Sequence, residues 1–239
     1  MKYYCNCLLF LLVSSFSFGQ TLTNFFNDTD DFLNSYVENG RVDYASVKKN
    51  PNTLIATLEI AKKIKADGYK ANEYQAFWVN VYNLLVIDGI VKHYPIQSPL
   101  DIPGFFDKNK HQVGGENITL NAIENKLLRA KYPNEPRFHF VLVCAGIGCP
   151  PIIKEAYRPA VFEIQLKEQT VKALNNPKFI RVNGSDVQIS QIFDWYKQDF
   201  EQKGSGIKDF INNYRNQKLP ENSTISFYPY DWKLNESVK

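Results

Sequence analysis

The chain has 239 residues, of which 44% are hydrophobic and 22% charged, so it is long enough to fold around a sizeable core. Its net charge of +3 is small, and its basic residues form no run or stripe, which argues against a nucleic-acid-binding surface. The acidic residues are equally scattered, which excludes a polyanionic tail.

The first 19 residues have the pattern of a secretory signal peptide. Lys2 provides a positive start, residues 8–13 are apolar, and small residues follow as far as Gly19. We expect cleavage near Gly19 and an exported protein, periplasmic or extracellular, with one domain over residues 20–239. The apolar run is too short for an ordinary membrane span, and we expect no transmembrane segment in the mature chain. The alternative is an uncleaved anchor or a buried first helix.

Helical periodicity dominates the first half of the chain. Apolar residues three and four positions apart predict helices over residues 22–37 and 54–64. A further helix, Asn72 to Tyr94, is apolar on nearly every side and should therefore lie at the centre of the fold. Asn80 and Asn83 interrupt its apolar surface on one face. Buried amides need hydrogen-bond partners, so these side chains either tie a neighbouring loop to the helix or line a pocket.

The second half of the chain mixes short strands with helices. Gly114–Gly115 and Asn183–Gly184 each predict the turn of a β-hairpin. The apolar, β-branched run from Phe138 to Val143 predicts a buried strand, and alternation predicts another over residues 224–230. The pattern indicates an α+β fold, a mainly helical body around a central apolar helix with a small, mostly antiparallel sheet. Helices are expected over residues 120–131, 159–175, 191–200 and 207–214.

The predicted buried strand ends in the sequence Cys144-Ala-Gly-Ile-Gly-Cys149, which carries both cysteines of the mature chain. Gly146 and Gly148 permit positive φ angles, so the turn can be tight and can expose its amides. In an exported protein two cysteines are most simply a disulfide, and this loop allows the Cα approach of about 5–6 Å that a disulfide needs. The alternatives are a catalytic thiol, which a permanent disulfide would remove, and a redox-switchable pair.

A catalytic Cys144 would need a histidine nearby. On a straight strand, the Cα atom of His139 would lie roughly 16 Å from that of Cys144, with the side chains on opposite faces. The tertiary structure would then have to bring His93 or His111 close to Cys144. The other interpretation of His139 is a buried histidine bonded to a backbone carbonyl.

Glu124 is the carboxylate candidate, because it lies on the helix that precedes the predicted strand. Its alternative role is an ion pair with Arg129 or Arg137. The histidines and cysteines lack the spacing of metal ligands, so we expect neither a metal nor another cofactor.

Four motifs of this chain resemble the DUF547 family, a domain of unknown function found in bacterial exported proteins and in plant proteins. The motifs are AFWVNVYNLL, GGENITLNAIENKLLR, RFHFVLVCAGIGCPP and YPYDWKLN, and the resemblance covers about residues 40–235. Asn125 departs from the family pattern, which often places a histidine after the glutamate. The matching polar positions, whose clustering would suit a cleft, are Asn80, Asn83, Glu124, Arg129, His139, Cys144 and Cys149.

The first functional hypothesis is a thiol-dependent hydrolase or acyl transferase. Cys144 would be the nucleophile, His139 or Glu124 its orienting partner, and exposed turn amides the oxyanion donors. Residues expected to bind the substrate in the same cleft are Asn80, Asn83, Arg129, Gly146 and Gly148.

The second hypothesis is a non-enzymatic envelope module that binds a ligand. Cys144 and Cys149 would then form a disulfide, and the two asparagines would bind the ligand or a loop. The sequence does not decide whether the protein is an enzyme. In both hypotheses the partner is a small molecule or a peptide.

Overall fold

The computed structural model describes residues 21–201 and 204–237. The predicted signal peptide lies outside these residues. In the part of the chain that is described, no helix is both long enough and apolar enough to cross a membrane. The elements up to the central helix are α1 (residues 21–36), β1 (Val37–Glu38), β2 (Arg41–Val42), α2 (Tyr44–Lys49), α3 (Asn52–Lys63) and α4 (Ala71–His93).

The remaining elements are short apart from one helix of three to four turns. The described part of the chain also has 3₁₀ turns at Ala66–Gly68, before α4, and at Pro99–Asp101 and Pro136–Phe140, after it. In chain order the elements are β3 (Lys110–Val113), β4 (Glu116–Thr119), α5 (Leu120–Ala122, continued by a π-helix over Ile123–Arg129), α6 (Phe162–Leu174), β5 (Ile180–Asn183), β6 (Asp186–Ser190), α7 (Ile192–Trp195), α8 (Lys197–Phe200), α9 (Ile207–Tyr214) and β7 (Thr224–Tyr228).

Helix α4 lies at the centre of the fold, as its apolar sequence predicts. Every residue from Tyr74 to Val91 is buried. Helix α1, helices α2 and α3, the π-helix and α6 all contribute to the core that surrounds it. A helix that is apolar all round can be stable only when neighbours cover every side.

Over residues 21–201 and 204–237 the strands form three small sheets. Two are two-stranded antiparallel hairpins, β1–β2 and β3–β4, and the latter turns at Gly114 and Gly115 with φ angles of 64° and 82°. In the third, β5 and β6 pair antiparallel while β6 and β7 pair parallel. The predicted α+β fold with its small, mostly antiparallel sheet is confirmed.

Two adjoining hydrophobic clusters make up the core, and the segment Pro136–Phe140 joins them. Phe138 belongs to the larger cluster around α4. Phe140 belongs to the second cluster, which packs α7, α8 and α9 against the three-stranded sheet. Its ring centroid lies 6.1 to 6.2 Å from those of Phe179, Phe193, Phe200 and Phe210.

The predicted strand Phe138–Val143 is wrong. The residues up to Phe140 form a 3₁₀ helix, and Val141 to Val143 continue as irregular chain. Val141 O and Val143 N each form a hydrogen bond of 2.9 Å with the Asn83 side chain. In a β-strand, these backbone groups would instead bond to a neighbouring strand. A short buried apolar run has the same sequence pattern in either state, because burial and not pleating selects its residues.

Two predicted helices are less regular than expected. The segment 120–131 becomes a π-helix, in which Ala130 N donates to Asn125 O at 3.0 Å, a bond five residues long. The segment 191–200 breaks at Tyr196 into α7 and α8. Single π-turns occur often at functional sites, where they reposition side chains that a regular helix would place elsewhere.

Candidate functional site

A cavity of about 440 Å³ lies where the π-helix, α4, the cysteine turn, α7 and the chain after β7 meet. Each wall comes from a different part of the sequence. The lining residues are Tyr82, Phe106, Asn121, Glu124, Asn125, His139, Leu142, Cys144, Cys149, Ile192, Trp195, Tyr196, Tyr230 and Trp232.

The structure brings four of the sequence-predicted residues to this cavity: Glu124, His139, Cys144 and Cys149. The separation of His139 from Cys144 derived for a straight strand does not apply, because the chain coils between Pro136 and Phe140. His93 and His111 lie elsewhere. Nδ1 of His93 is 2.9 Å from Gly89 O, and His111 faces another cavity beside α3.

The sulfur atoms of Cys144 and Cys149 lie at disulfide distance, with the Cα atoms 6.5 Å apart. The Tyr230 hydroxyl donates to Cys149 Sγ at 2.8 Å and lies 2.9 Å from Cys144 Sγ. Within residues 21–201 and 204–237, no imidazole or carboxylate is hydrogen-bonded to either sulfur. The nearest polar partner of the sulfur pair is therefore a phenol.

The turn between the cysteines docks onto the C-terminal chain. Gly148 N donates to Asp231 O and Ile147 N to Lys233 O, both at 2.8 Å. These amides are engaged and cannot serve as oxyanion donors. The positive φ in the turn, 62°, belongs to Ala145 and not to a glycine.

Close packing is what requires the glycine at position 148. A Cβ atom there would lie 2.9 Å from three atoms of the Tyr230 ring, closer than van der Waals contact allows. Gly146 and Gly148 line a separate cavity of about 540 Å³ on the other side of the turn.

His139 is held by a carboxylate that the sequence does not point to. Its Nε2 lies 2.7 Å from Oδ2 of Asp199, and its ring centroid lies 4.0 Å from that of Tyr196, with the ring planes tilted by 31°. Arg129 donates to both oxygens of Asp199, from Nε at 2.6 Å and from Nη2 at 2.9 Å. The expected backbone carbonyl is not the partner of His139.

The hydrogen-bond partners His139 and Arg129 determine the ionisation of Asp199. Burial favours a higher pKa, but the hydrogen bonds and charges of His139 and Arg129 outweigh it and lower the pKa of Asp199 to about 2. Arg129 therefore supports the position of His139 through Asp199, and Arg129 itself does not line the cavity.

Glu124 lies on the cavity wall without the expected ion pair. Arg129 pairs with Asp199, and Arg137 pairs with Glu135 and Glu163. The Tyr82 hydroxyl donates to Oε2 of Glu124 at 3.5 Å. Burial and the charge of Glu124 raise the pKa of Tyr82, so this phenol remains a neutral donor.

Asn80 and Asn83 tie loops to α4, and neither lines the cavity. Asn80 donates to Tyr157 O at 2.8 Å and accepts from Tyr157 N at 3.0 Å. Asn83 does the same with Val141 O and Val143 N. Each amide therefore replaces a missing backbone partner in the centre of the fold.

Most of the cavity wall that α7 and the chain after β7 form was not predicted from the sequence. Trp195 ends α7, Tyr196 forms the break between α7 and α8, and Asp199 lies in α8. Their sequence pattern predicts only an amphipathic helix. For Tyr230 and Trp232 a signal was present, because both lie in the motif YPYDWKLN.

Comparison with known proteins gives one family. Residues 66–173 match the family described as protein of unknown function, DUF547. No curated protein and no solved structure matches the chain. The matched residues include α4, the π-helix, the 3₁₀ segment and the cysteine turn, and hence one side of the cavity. The match over residues 66–173 supports the resemblance to the DUF547 family that the motifs predict.

Proposed function

We propose that this protein is a ligand-binding module whose cavity takes a small molecule or one residue of a peptide. The observation that carries the proposal is the composition of the cavity wall. Six aromatic side chains surround a carboxylate and two amides in a space of about 440 Å³. A concave, mostly apolar site with a few convergent polar groups is the usual form of a small-molecule site.

The state of the cysteine turn favours binding over thiol chemistry. The two sulfurs are at disulfide distance, and the Gly148 amide is occupied by the Asp231 carbonyl. A disulfide in the wall would hold the turn against the Tyr230 ring and so keep the cavity open without a ligand.

We also propose that the protein works outside the cytoplasm, as the first 19 residues suggest. A Cys144–Cys149 disulfide persists in an oxidising compartment and is reduced in most cytosols. One domain over residues 20–239 remains part of the same proposal.

Thermal denaturation with defined probes tests the binding proposal. The probes are benzyltrimethylammonium, benzyl alcohol, benzenesulfonate and maltotriose, each at millimolar concentration. A compound that binds only the folded state raises Tm, and the rise grows with the ratio of its concentration to Kd. We expect at least one probe to raise Tm, and Trp195→Ala to remove that rise, because Trp195 is a cavity side chain that is 46% exposed. No shift with any probe contradicts the proposal.

A second candidate is a thiol-dependent hydrolase or acyl transferase, favoured by the hydrogen-bonded pair of His139 and Asp199 in the same cavity. A dithiol reductant would first have to open the sulfur pair. Cys144 thiolate would then attack a substrate carbonyl carbon and form a C–S bond, while the leaving group departs with a proton from His139. Water would hydrolyse the thioester and release Cys144.

Peptide-resolved alkylation separates the two candidates. The folded chain is treated with iodoacetamide before and after dithiothreitol, and the modified cysteines are located by mass spectrometry. The binding module predicts no label at Cys144 before reduction. After dithiothreitol has opened the pair, labelling of Cys144 that is much faster than that of Cys149 would favour the thiol enzyme, because it would indicate an activated thiolate.

A further inference from the structure

The cavity has the electrostatic character of a site for an organic cation. We infer that its ligand carries a positively charged nitrogen next to an apolar group, as in alkylammonium or benzylammonium compounds. This inference rests on the proposed binding function and specifies the class of ligand.

Aromatic rings supply most of the wall. Trp195 and Trp232 are near-parallel, with an interplanar angle of 23° and centroids 6.0 Å apart. The Tyr230 ring lies 5.1 Å from Trp195 and 4.7 Å from Trp232. The faces of aromatic rings are electron-rich and attract cations, most strongly for tryptophan, and Phe106, Tyr82 and Tyr196 add three more rings.

Glu124 adds a full negative charge to the same space. Its side chain lies on the π-helix facing the tyrosines, where Tyr82 donates to it. Besides burial, its charge raises the pKa of Tyr82, Tyr196 and Tyr230. The field of this carboxylate therefore reaches three sides of the cavity.

No fixed cation on the wall competes with a ligand. Among the described residues, no lysine or arginine side chain lines the cavity. The nearest guanidinium, that of Arg129, lies 4.6 Å from the centre of the Tyr196 ring. Its Nε and Nη2 pair with Asp199, and its Nη1 donates to Oδ1 of Asn125. An anionic ligand would be repelled by Glu124, and a neutral one would leave that charge without a cationic partner.

Titration calorimetry with three probes of similar size tests the inference on the full chain. Benzyltrimethylammonium is the cation, benzyl alcohol the neutral compound and benzenesulfonate the anion. We expect the cation to bind about tenfold more tightly than the neutral compound, the ratio that corresponds to ~1.4 kcal/mol. Its affinity should fall as NaCl is raised, while that of benzyl alcohol should not.

Two matched variants locate the effect. Glu124→Gln keeps the shape of the side chain and removes its charge, so we expect the preference for the cation to shrink about fivefold or more. Glu116→Gln, on the exposed strand β4 and outside the cavity, should leave the preference unchanged. The Tm of each variant is measured to verify that it is folded.

The possible failures are distinguishable. If benzyl alcohol or benzenesulfonate binds as tightly as the cation, or if Glu124→Gln binds the cation as well as the parent chain does, the inference is overturned while the binding function stands. If none of these probes nor maltotriose binds at tens of millimolar, both are overturned.

Discussion

Asp199 shows how single residues control the geometry of the cavity. Its carboxylate accepts from His139 on one side and from Arg129 on the other, and so fixes an imidazole on the cavity wall. Nothing in the sequence connects these residues, because His139 and Asp199 are 60 positions apart. For the same reason, the sequence could not identify the hydrogen-bond partners of Asn80 and Asn83. It did indicate that these amides need partners, because they lie on an apolar helix.

The pH dependence of stability should report on Asp199. Its pKa in the folded chain is about 2, below the ordinary value of 3.8, so ionisation of this group favours folding. The contribution is full above about pH 4 and is lost as the pH falls towards 2. We expect Asp199→Asn to lower the free energy of unfolding by about 2 kcal/mol at neutral pH, and less in acid.

Urea unfolding at a series of pH values measures this effect. Asp107→Asn, in an exposed loop, is the control and should change the free energy of unfolding by less than about 0.5 kcal/mol at every pH. A deficit for Asp199→Asn that is the same in acid and at neutral pH would contradict the assignment.

At the scale of elements, periodicity predicted the long helices and the glycine turns but not the segment from Pro136 to Val143. Helix α4 was predicted to within one residue at each end, because its burial leaves an uninterrupted apolar pattern. The 3₁₀ segment has no such period, and the irregular chain after it, at Val141 O and Val143 N, bonds to the side chain of Asn83. Only the tertiary structure could reveal that partner.

Removing the Asn83 amide should therefore destabilise this segment in particular. Asn83→Ala leaves Val141 O and Val143 N without partners, each at a cost of about 1–3 kcal/mol. We expect faster hydrogen exchange at the Val143 amide as well as a lower free energy of unfolding. Asn72→Ala, which removes one exposed contact at 3.4 Å, is the control. Unchanged exchange at Val143 would disprove the bridging role.

The cysteine turn makes a separate prediction about packing. Gly148→Ala places a methyl group 2.9 Å from the Tyr230 ring, and overpacking of this kind costs about 1–3 kcal/mol. Gly68→Ala is the matched control, since a Cβ there meets nothing within 4 Å. Equal stability of the two variants in thermal denaturation would show that the turn can move away from Tyr230.

At the scale of the whole molecule, the sequence predicted the α+β class but not how its two halves combine. One side of the cavity is lined by side chains of the larger cluster around α4. The other side is lined by side chains of the cluster that includes α7 and β7. Local patterns identify the elements of each cluster, whereas the contact between clusters depends on side chains far apart in the chain. The segment Pro136–Phe140 makes that connection, with Phe138 in the first cluster and Phe140 in the second.

Phe140→Ala should weaken the whole fold. It removes a fully buried ring that contacts four other phenylalanines, and such changes cost about 3–5 kcal/mol. Phe227→Ala, at a position that is 39% exposed, should cost much less. Urea unfolding followed by circular dichroism measures both, and similar midpoints for the two variants would argue against a joining role for Phe140.

The most direct measurement of a ligand in the cavity uses the tryptophans themselves. The chain has three, of which Trp195 and Trp232 line the cavity and Trp78 is buried in α4. In a ¹⁵N-labelled sample, each indole gives one signal, assigned through Trp→Phe variants. On addition of benzyltrimethylammonium we expect the Trp195 and Trp232 signals to shift with saturation while that of Trp78 stays in place. Shifts at Trp78 alone, or no shift at any of the three, would contradict a binding site in this cavity.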